Sequence, residues 1–164
     1  MTEMRAGLPV IGFADATAFE AWMAAQPGDS PGLWLKLSKK ASDIASLSKS
    51  EAIDAALCQG WIDGQLDKYD ESSWLIRFTP RRARSRWSEV NRTRALELME
   101  AGRMRAAGLS RIAAAKAAAF FATLTGASRY AILYRIGAAK RPETRARKIV
   151  DFVAMLARGE TLHG

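Results

Sequence analysis

Residues 60–80, GWIDGQLDKYDESSWLIRFTP, contain the pattern that decides the fold. Two runs with strand character, WIDGQLDKY and WLIRFTP, flank the polar segment DESS, an arrangement typical of a β-hairpin. Pro80 ends the second strand, because proline has no N–H group to donate to a sheet. The second run alternates between two faces, with Trp74, Ile76 and Phe78 on one and Leu75, Arg77 and Thr79 on the other.

Upstream of this hairpin the sequence predicts two helices and a strand. Ser48 to Glu51 has capping-box spacing and begins a short helix, which Gly60 ends. Thr17 to Glu20 has the same spacing and begins an earlier helix. The strand is GLWLKLSKK, residues 32–40, where strict alternation places Leu33, Leu35 and Leu37 on one face and Trp34 on the other.

Downstream of Pro80 the chain is predicted to be wholly helical. Ser85 is the predicted N-cap of a helix that reaches Glu100. Three further helices are predicted over about 109–124, 128–138 and 142–158. The predicted fold class is therefore α+β, with a small antiparallel sheet packed with helices and followed by a helical C-terminal region. We expect residues 1–107 to form an α+β core in the order helix, strand, helix, hairpin, helix, and residues 108–164 to form the helical region.

Charge is unevenly distributed along the chain. The 164 residues are 49% apolar, enough for a hydrophobic core, and carry a net charge of +8. Residues 1–76 have a net charge of −5 and residues 77–164 a net charge of +13. This asymmetry favours an anionic partner for the second half. Pairing between the two halves inside one fold explains it equally well, since charge balance alone does not identify a partner.

Several catalytic classes are excluded by composition. The one cysteine, Cys58, excludes an internal disulfide and a cysteine-based zinc site, and its apolar helical context indicates a small core residue. The one histidine, His163, is next to the last residue, which argues against Ser-His, Cys-His and histidine-metal chemistry. Asp67, Asp70 and Glu71 have the chemistry of a hard-cation site, but solvated carboxylates at a hairpin tip are the simpler interpretation. No P-loop or GxGxxG pattern is present, and we expect no catalytic residue, metal or cofactor.

Targeting and membrane signals are also lacking in the sequence. The first residues, MTEMRAGLPVIGF, do not have the pattern of a secretory signal. The most apolar stretch, IAAAKAAAFFATL, is interrupted by Lys116 and is too short to cross a bilayer. A reduced cytoplasmic protein without a membrane span is the expectation.

The stretch RFTPRRARSRWSEVNR, residues 77–92, contains six arginines opposed by one acid, Glu89. The first-turn amides of a helix that begins near Ser85 would favour an anion beside these arginines. Asp63 is placed to hold a guanidinium in a bidentate fork, although an ordinary turn aspartate is the simpler interpretation. Trp61 or Trp87 would supply a flat wall, and Trp87 taken alone indicates core. The predicted ligand-binding set is Trp61, Asp63, Arg77, Thr79, Arg81, Arg82, Ser85, Trp87, Ser88 and Asn91.

A second basic feature begins the last predicted helix. Arg141, Arg145 and Lys148 recur at helical spacing, with Lys140 beside them. The opposite face is apolar and consists of Ile149, Phe152, Val153 and Leu156. A charged face exposed to solvent is the simpler interpretation of this secondary basic stripe.

Four segments carry a resemblance to a known family: ALCQGWIDG (56–64), RFTPRRARSRWSEVN (77–91), GRM (102–104) and AKRPETRARKI (139–149). On these, the chain resembles the YdeI/OmpD-associated family of bacteria, the bacteriocin-protection proteins, over nearly its whole length. The resemblance implies a cytoplasmic bacterial protein linked to tolerance of envelope-directed antimicrobial agents, and it implies no reaction or ligand. Relatives usually have a longer link, with Trp and Pro, between AAAKA (113–117) and the phenylalanines at 120–121.

Three functional hypotheses follow. The first is a non-enzymatic protein that binds a small anion, such as a metabolite or a lipid head group, in an arginine-rich pocket. The second is a nucleic-acid-binding protein that uses its basic second half. The third is an enzyme with Asp63 as a base, which nearby guanidinium groups would weaken by lowering its pKa. Exposed Trp34 or Trp22 would in addition suit a partner surface, such as that of a homo-oligomer.

Overall fold

The computed structural model describes residues 1–40, 42, 44–82 and 84–162. The chain divides into two compact units, Met1–Leu109 and Ser110–Gly164. His163 lies outside the described residues.

The first unit is built on a five-stranded sheet. Its elements are, in chain order, β1 (Met4–Arg5), β2 (Leu8–Gly12), α1 (Ala16–Ala24), β3 (Leu33–Ser38), α2 (Lys49–Gln59), β4 (Trp61–Lys68), β5 (Ser73–Pro80) and α3 (Glu89–Glu100). The strands lie in the order β1-β2-β3-β5-β4. Helix α4 (Ala106–Thr123) begins in this unit and ends in the second.

The α+β class is confirmed, and the sheet is mixed where an antiparallel sheet was predicted. The hairpin of β4 and β5 forms as predicted, and β5 also pairs antiparallel with β3. Strand β2 pairs parallel with β3, because α1 joins the two strands and returns the chain to the same end of the sheet. Strands β1 and β2 were not predicted; they form a short antiparallel pair around Gly7, whose φ is 79°.

Both faces of the sheet carry buried apolar side chains. The larger cluster packs α1 and α2 on the sheet and includes Phe19, Met23, Leu33, Leu35, Leu37, Trp61, Ile76 and Phe78. The opposite face holds Leu8, Val10, Trp34 and Leu75. The expectation that Trp34 is exposed is therefore wrong: it is 4% exposed, and its indole N–H donates to the carbonyl of Arg5. The unpredicted N-terminal strands are the reason, since they supply the side chains and the carbonyl around this indole.

Helix ends agree with the sequence in part. The capping box of Ser48 and Glu51 is confirmed, and Gly60 ends α2 in the left-handed region at φ 75°. Asp15, and not Thr17, caps α1, because its carboxylate accepts from the amide of Ala18. Ser88, and not Ser85, caps α3.

The second unit contains the rest of α4 with α5 (Gly126–Gly137) and α6 (Pro142–Ala157), close to the predicted bounds. These helices bury Ala117, Ile132 and Leu156 at their centre. Ile149, which was predicted on the apolar face, is 43% exposed, while Phe152 and Val153 pack against the core. The segment from residue 113 to 121 lies inside the continuous helix α4. None of the described helices has both the length and the apolar character needed to cross a membrane.

Candidate functional site

A surface groove of about 570 Å³ lies on the first unit, where β4 begins and β5 ends. Its lining comes from the loop before β3, from both strands of the hairpin and from the loop after Pro80: Gly28, Ser30, Pro31, Ile62, Asp63, Gly64, Gln65, Arg77, Thr79, Pro80, Arg82 and Ser85. We call this the hairpin groove. Three segments that are distant in sequence thus meet at one surface: the 28–31 loop, the GWIDG segment and the arginine-rich stretch.

Gly32 holds the 28–31 loop against β5. Its φ is +96°, and a Cβ atom there would meet the carbonyl of Phe78 and lie 2.8 Å from Cγ2 of Thr79. Only glycine permits both this backbone angle and this close approach. The wall of the groove therefore depends on one residue without a side chain.

Two arginines give the hairpin groove its positive charge. Arg77 and Arg82 are exposed, and the side chain of neither makes a hydrogen bond or an ion pair with any residue that the structure describes. Asp63 is the one acid among the lining residues. Hydroxyl groups of Ser30, Thr79 and Ser85 accompany these charges in the lining. Guanidinium and hydroxyl groups together donate to oxyanions, so this chemistry suits an anion.

The predicted fork between Asp63 and an arginine does not form. Within the described part of the chain, no basic nitrogen lies within 4.0 Å of the Asp63 carboxylate. Asp63 is half-buried beside an irregularity in the β4–β5 register, between Asp63 and Leu66. Its charge acts at longer range on Arg81, where it partly offsets the effect of burial on the pKa. The other interpretation, a turn aspartate, is not confirmed either, because Asp63 lies within β4 and pairs with Phe78 of β5.

Arg81 and Arg82 are adjacent in the chain but have opposite environments. Arg81 is 1% exposed and does not line the groove. Its Nη1 donates to the carbonyl of Arg86 at 3.0 Å, and its guanidinium carbon lies 3.7 Å from the centre of the Trp87 ring. Burial lowers the pKa of Arg81 to about 10, because a charged group is less stable away from water.

Both predicted aromatic walls are core residues. Trp61 is 4% exposed and packs edge-on against Trp22, with ring centres 5.8 Å apart. Trp87 is half-buried against the cluster of Leu57, Cys58 and Leu98. Neither indole lines the hairpin groove. Cys58 is fully buried, as predicted, and burial raises the pKa of its thiol.

The predicted helix start is displaced from the groove. Ser85 accepts a hydrogen bond from the amide of Arg82 at 2.9 Å, so it closes a turn in the loop and does not begin the helix. Ser88 takes the capping role by accepting from the amide of Asn91. Of the predicted ligand-binding set, the groove brings together Asp63, Arg77, Thr79, Arg82 and Ser85, and it leaves out Trp61, Arg81, Trp87, Ser88 and Asn91.

Sequence reasoning missed a second polar centre. Asp54 is 8% exposed, and its carboxylate accepts hydrogen bonds from Nε and Nη2 of Arg94 at 2.7 and 2.6 Å. Nη1 of Arg103 lies 3.8 Å from the same carboxylate. This carboxylate joins α2 to α3. The signal was an acid inside the apolar run AIDAALC, where only a paired carboxylate is tolerated.

The acids at the hairpin tip have ordinary partners. Asp67 pairs with Arg5 at 2.7 Å, and Asp70 lies 3.9 Å from the ammonium of Lys36. Among the residues that the structure describes, no group of three potential metal ligands comes together.

The secondary basic stripe lies on α6 and the loop before it, in the second unit. Lys140, Arg141 and Arg145 are exposed, and Lys148 donates to the carbonyl of Arg135 at 3.0 Å. On α5 of the same unit, two exposed tyrosines stack. Tyr130 is 67% exposed, Tyr134 is 63% exposed, and their ring centres are 5.9 Å apart.

Comparison with known families divides the chain near residue 111. Residues 11–111 match a family described as a domain of unknown function (DUF8412). Residues 111–159 match the family described as bacteriocin-protection, YdeI or OmpD-associated. The expected resemblance to the second family over nearly the whole chain is thus found only in its C-terminal part, which contains the AKRPETRARKI segment. Neither the curated proteins nor the solved structures yielded a match.

Proposed function

The chain belongs to the DUF8412 family and carries the YdeI/OmpD-associated bacteriocin-protection segment over residues 111–159, and from this premise we propose that it is a non-enzymatic anion-binding protein. The proposed ligand is a small oxyanion, either a free metabolite or a lipid head group, and the proposed site is the hairpin groove. In line with the family resemblance, we propose that it acts in the cytoplasm in tolerance of antimicrobial stress.

One observation carries this proposal. Arg77 and Arg82 line the same groove, and their guanidinium groups have no protein partner among the described residues. Because such groups bind carboxylates and phosphates through several donors at once, a ligand with two or three oxygens is favoured over a single point charge. The lone acid in the lining, Asp63, does not neutralise both arginines.

Calorimetric titration with inorganic phosphate and with citrate tests the groove. Wild-type protein is expected to bind one of these probes, with an affinity that falls as salt screens the charges. The variant carrying both Arg77→Ala and Arg82→Ala is expected to lose that binding. Arg84→Ala is the matched control, since Arg84 is an exposed arginine of the same loop outside the groove lining. Equal binding of the probe by the wild-type protein and the double variant would show that the hairpin groove is not the anion-binding site.

The two sources of the oxyanion are separated with vesicles. Phosphatidylglycerol vesicles are compared with phosphatidylcholine vesicles in a flotation assay. A lipid head group predicts retention on the anionic vesicles that is lost in the double variant. A free metabolite predicts no retention on either vesicle, together with saturable binding of the soluble probes.

We propose nucleic-acid binding by the second unit as the other candidate function. The stacked tyrosines Tyr130 and Tyr134 favour it, because exposed aromatic rings provide platforms on which the bases of single strands stack. Arg141 and Arg145 have no acidic partner among the described residues and would contact phosphates.

Fluorescence anisotropy with a labelled single-stranded oligonucleotide tests this candidate. Tyr134→Ala is expected to weaken binding, and Arg145→Ala is expected to reduce the slope of log affinity against log salt by about 0.7. Arg158→Ala is the control, because Arg158 already pairs with Glu160 at 2.8 Å. Absence of binding at low salt would end this candidate without affecting the groove.

A further inference from the structure

The guanidinium of Arg81 is held rigidly while part of it lacks a partner. Its backbone amide donates to Gly60, its Nη1 donates to Arg86, and its flat face lies on the ring of Trp87. Its Nε and Nη2 are buried and have no hydrogen-bond partner. A buried donor without a partner is destabilising, and more so when it belongs to a charged group. Something that accepts hydrogen bonds is therefore expected on this side of Arg81.

The two unpartnered nitrogens define one edge of the guanidinium. Nε–H and Nη2–H point in parallel, at the spacing of the two oxygens of a carboxylate. The same protein shows this edge filled elsewhere, since Arg94 uses Nε and Nη2 to bind Oδ1 and Oδ2 of Asp54. Arg81 presents the same pair of donors, and no carboxylate of the described residues lies within 4.0 Å of it.

We propose that the Nε–Nη2 edge of Arg81 is a buried binding site for a carboxylate group. The site is distinct from the hairpin groove, because Arg81 is not among the residues that line the groove. Formate, the smallest carboxylate, is the probe. A carboxylate here would restore the missing hydrogen bonds and neutralise a charge that burial makes unfavourable, which agrees with the lowered pKa of Arg81.

NMR of the arginine Nε–H groups tests the site in the intact protein. A buried Nε–H exchanges slowly with water, and the disappearance of one resonance in Arg81→Lys assigns the signal. Formate is expected to shift the Arg81 resonance saturably. The Arg94 resonance is the internal control and is expected to stay in place, because Asp54 already occupies its Nε.

Affinity measurements on variants sharpen the test. Lysine keeps the charge but lacks the two parallel donors, so Arg81→Lys is expected to weaken formate binding at least about tenfold. Asp63→Asn is expected to strengthen it, since the charge of Asp63 acts on Arg81 and would repel a bound anion. The Arg77→Ala and Arg82→Ala variant is expected to retain it, which separates this site from the proposed function.

Three results would overturn the proposal. If formate, acetate and chloride all leave the Arg81 resonance unchanged, the edge holds water only. If Asp63→Asn alone moves that resonance while formate has no effect on wild-type protein, the carboxylate of Asp63 occupies the edge in solution. The Arg81→Lys variant has no Arg81 resonance, so its binding of formate is measured by thermal stability. If formate raises the thermal stability of Arg81→Lys as much as that of the wild-type protein, the proposal is also contradicted.

Discussion

Gly32 is the residue on which the geometry of the hairpin groove depends most directly. Its φ of +96° disfavours any L side chain, and an added Cβ would meet the backbone of Phe78. We predict that Gly32→Ala lowers the free energy of unfolding by more than the roughly 1–3 kcal/mol expected for backbone strain alone. Urea denaturation followed by tryptophan fluorescence measures the loss.

Two other glycines separate the causes of that loss. Gly7 also has a positive φ, +79°, but a Cβ there would meet nothing within 4 Å, so Gly7→Ala reports backbone strain without a clash. Gly126 has neither a positive φ nor a neighbour, and Gly126→Ala in helix α5 is expected to be neutral or slightly stabilising. Equal losses at Gly32 and Gly7 would contradict the steric argument.

Among the arginines that form ion pairs, we predict that loss of Arg94 destabilises the fold most. Its removal would leave Asp54 buried with only Arg103, at 3.8 Å, to compensate its charge. We predict that Arg94→Met lowers the midpoint of urea denaturation clearly. Arg158→Met is the control and should have little effect, since the Arg158–Glu160 pair is exposed. The double variant Arg94→Met with Asp54→Leu should recover part of the stability.

The candidate site could be predicted from the sequence only where a local rule fixes the direction of a side chain. Alternation along β5 places Arg77 and Thr79 on one face, and both line the groove. Past Pro80 this rule ends, and the burial of Arg81 against Trp87 depends on how the loop packs against α2 and α3. The loop before β3 has no chemical signal, so its role in the groove emerged only from the fold.

At the scale of the element, helix α2 shows how a cap couples folding to pH. The backbone amide of Ser48 donates to the Glu51 carboxylate at 2.7 Å, and this bond holds the pKa of Glu51 below its ordinary value of 4.5. The unfolded chain therefore takes up a proton at Glu51 before the folded chain does as the pH falls. The stabilisation is complete above pH 4.5 and is lost as the pH falls through the folded pKa.

We predict that Glu51→Ala destabilises the protein at pH 7 and that its difference from wild type shrinks as the pH falls below 4.5. Urea denaturation at several pH values measures this difference. Ser48→Ala is the comparison: it removes the other half of the capping box without removing the titrating group, so part of its effect should persist in acid. A pH-independent effect of Glu51→Ala would contradict the role of the carboxylate.

Elements with a strong period were predictable, and short ones were not. Strands β3 and β5 follow from alternation over six to eight residues, and the hairpin follows from the polar segment between β4 and β5. Strand β1 has two residues, and β2 contains Pro9, which argues against a strand when the sequence is considered alone. Pairing with β3 outweighs that local signal, and this pairing also makes the sheet mixed.

At the scale of the whole molecule, the charge asymmetry has two sources. Within the first unit, part of the basic excess pairs with acids from the earlier half of the sequence, as in Arg94 with Asp54 and Arg105 with Glu20. Such pairs account for some arginines by folding alone. In the second unit Arg141 and Arg145 have no acidic partner among the described residues, and at the groove neither do Arg77 and Arg82, so ion pairing within the fold does not account for these charges. Net charge from the sequence does not make this distinction, because it depends on which side chains meet.

The division into two units predicts that two spectroscopic probes will separate on unfolding. All five tryptophans lie at or before residue 87, in the first unit, whereas the second unit contributes helical circular dichroism without tryptophan. Ile132 is 2% exposed at the centre of the second unit, and Ile132→Ala should cost about 2–5 kcal/mol there. We predict that this variant moves the circular-dichroism transition to lower urea and leaves the fluorescence transition in place. Leu35→Ala, in the fully buried core of the first unit, should move the fluorescence transition together with the part of the circular-dichroism change that comes from helices α1 to α3. A shift of the fluorescence transition in Ile132→Ala would show that the two units unfold as one.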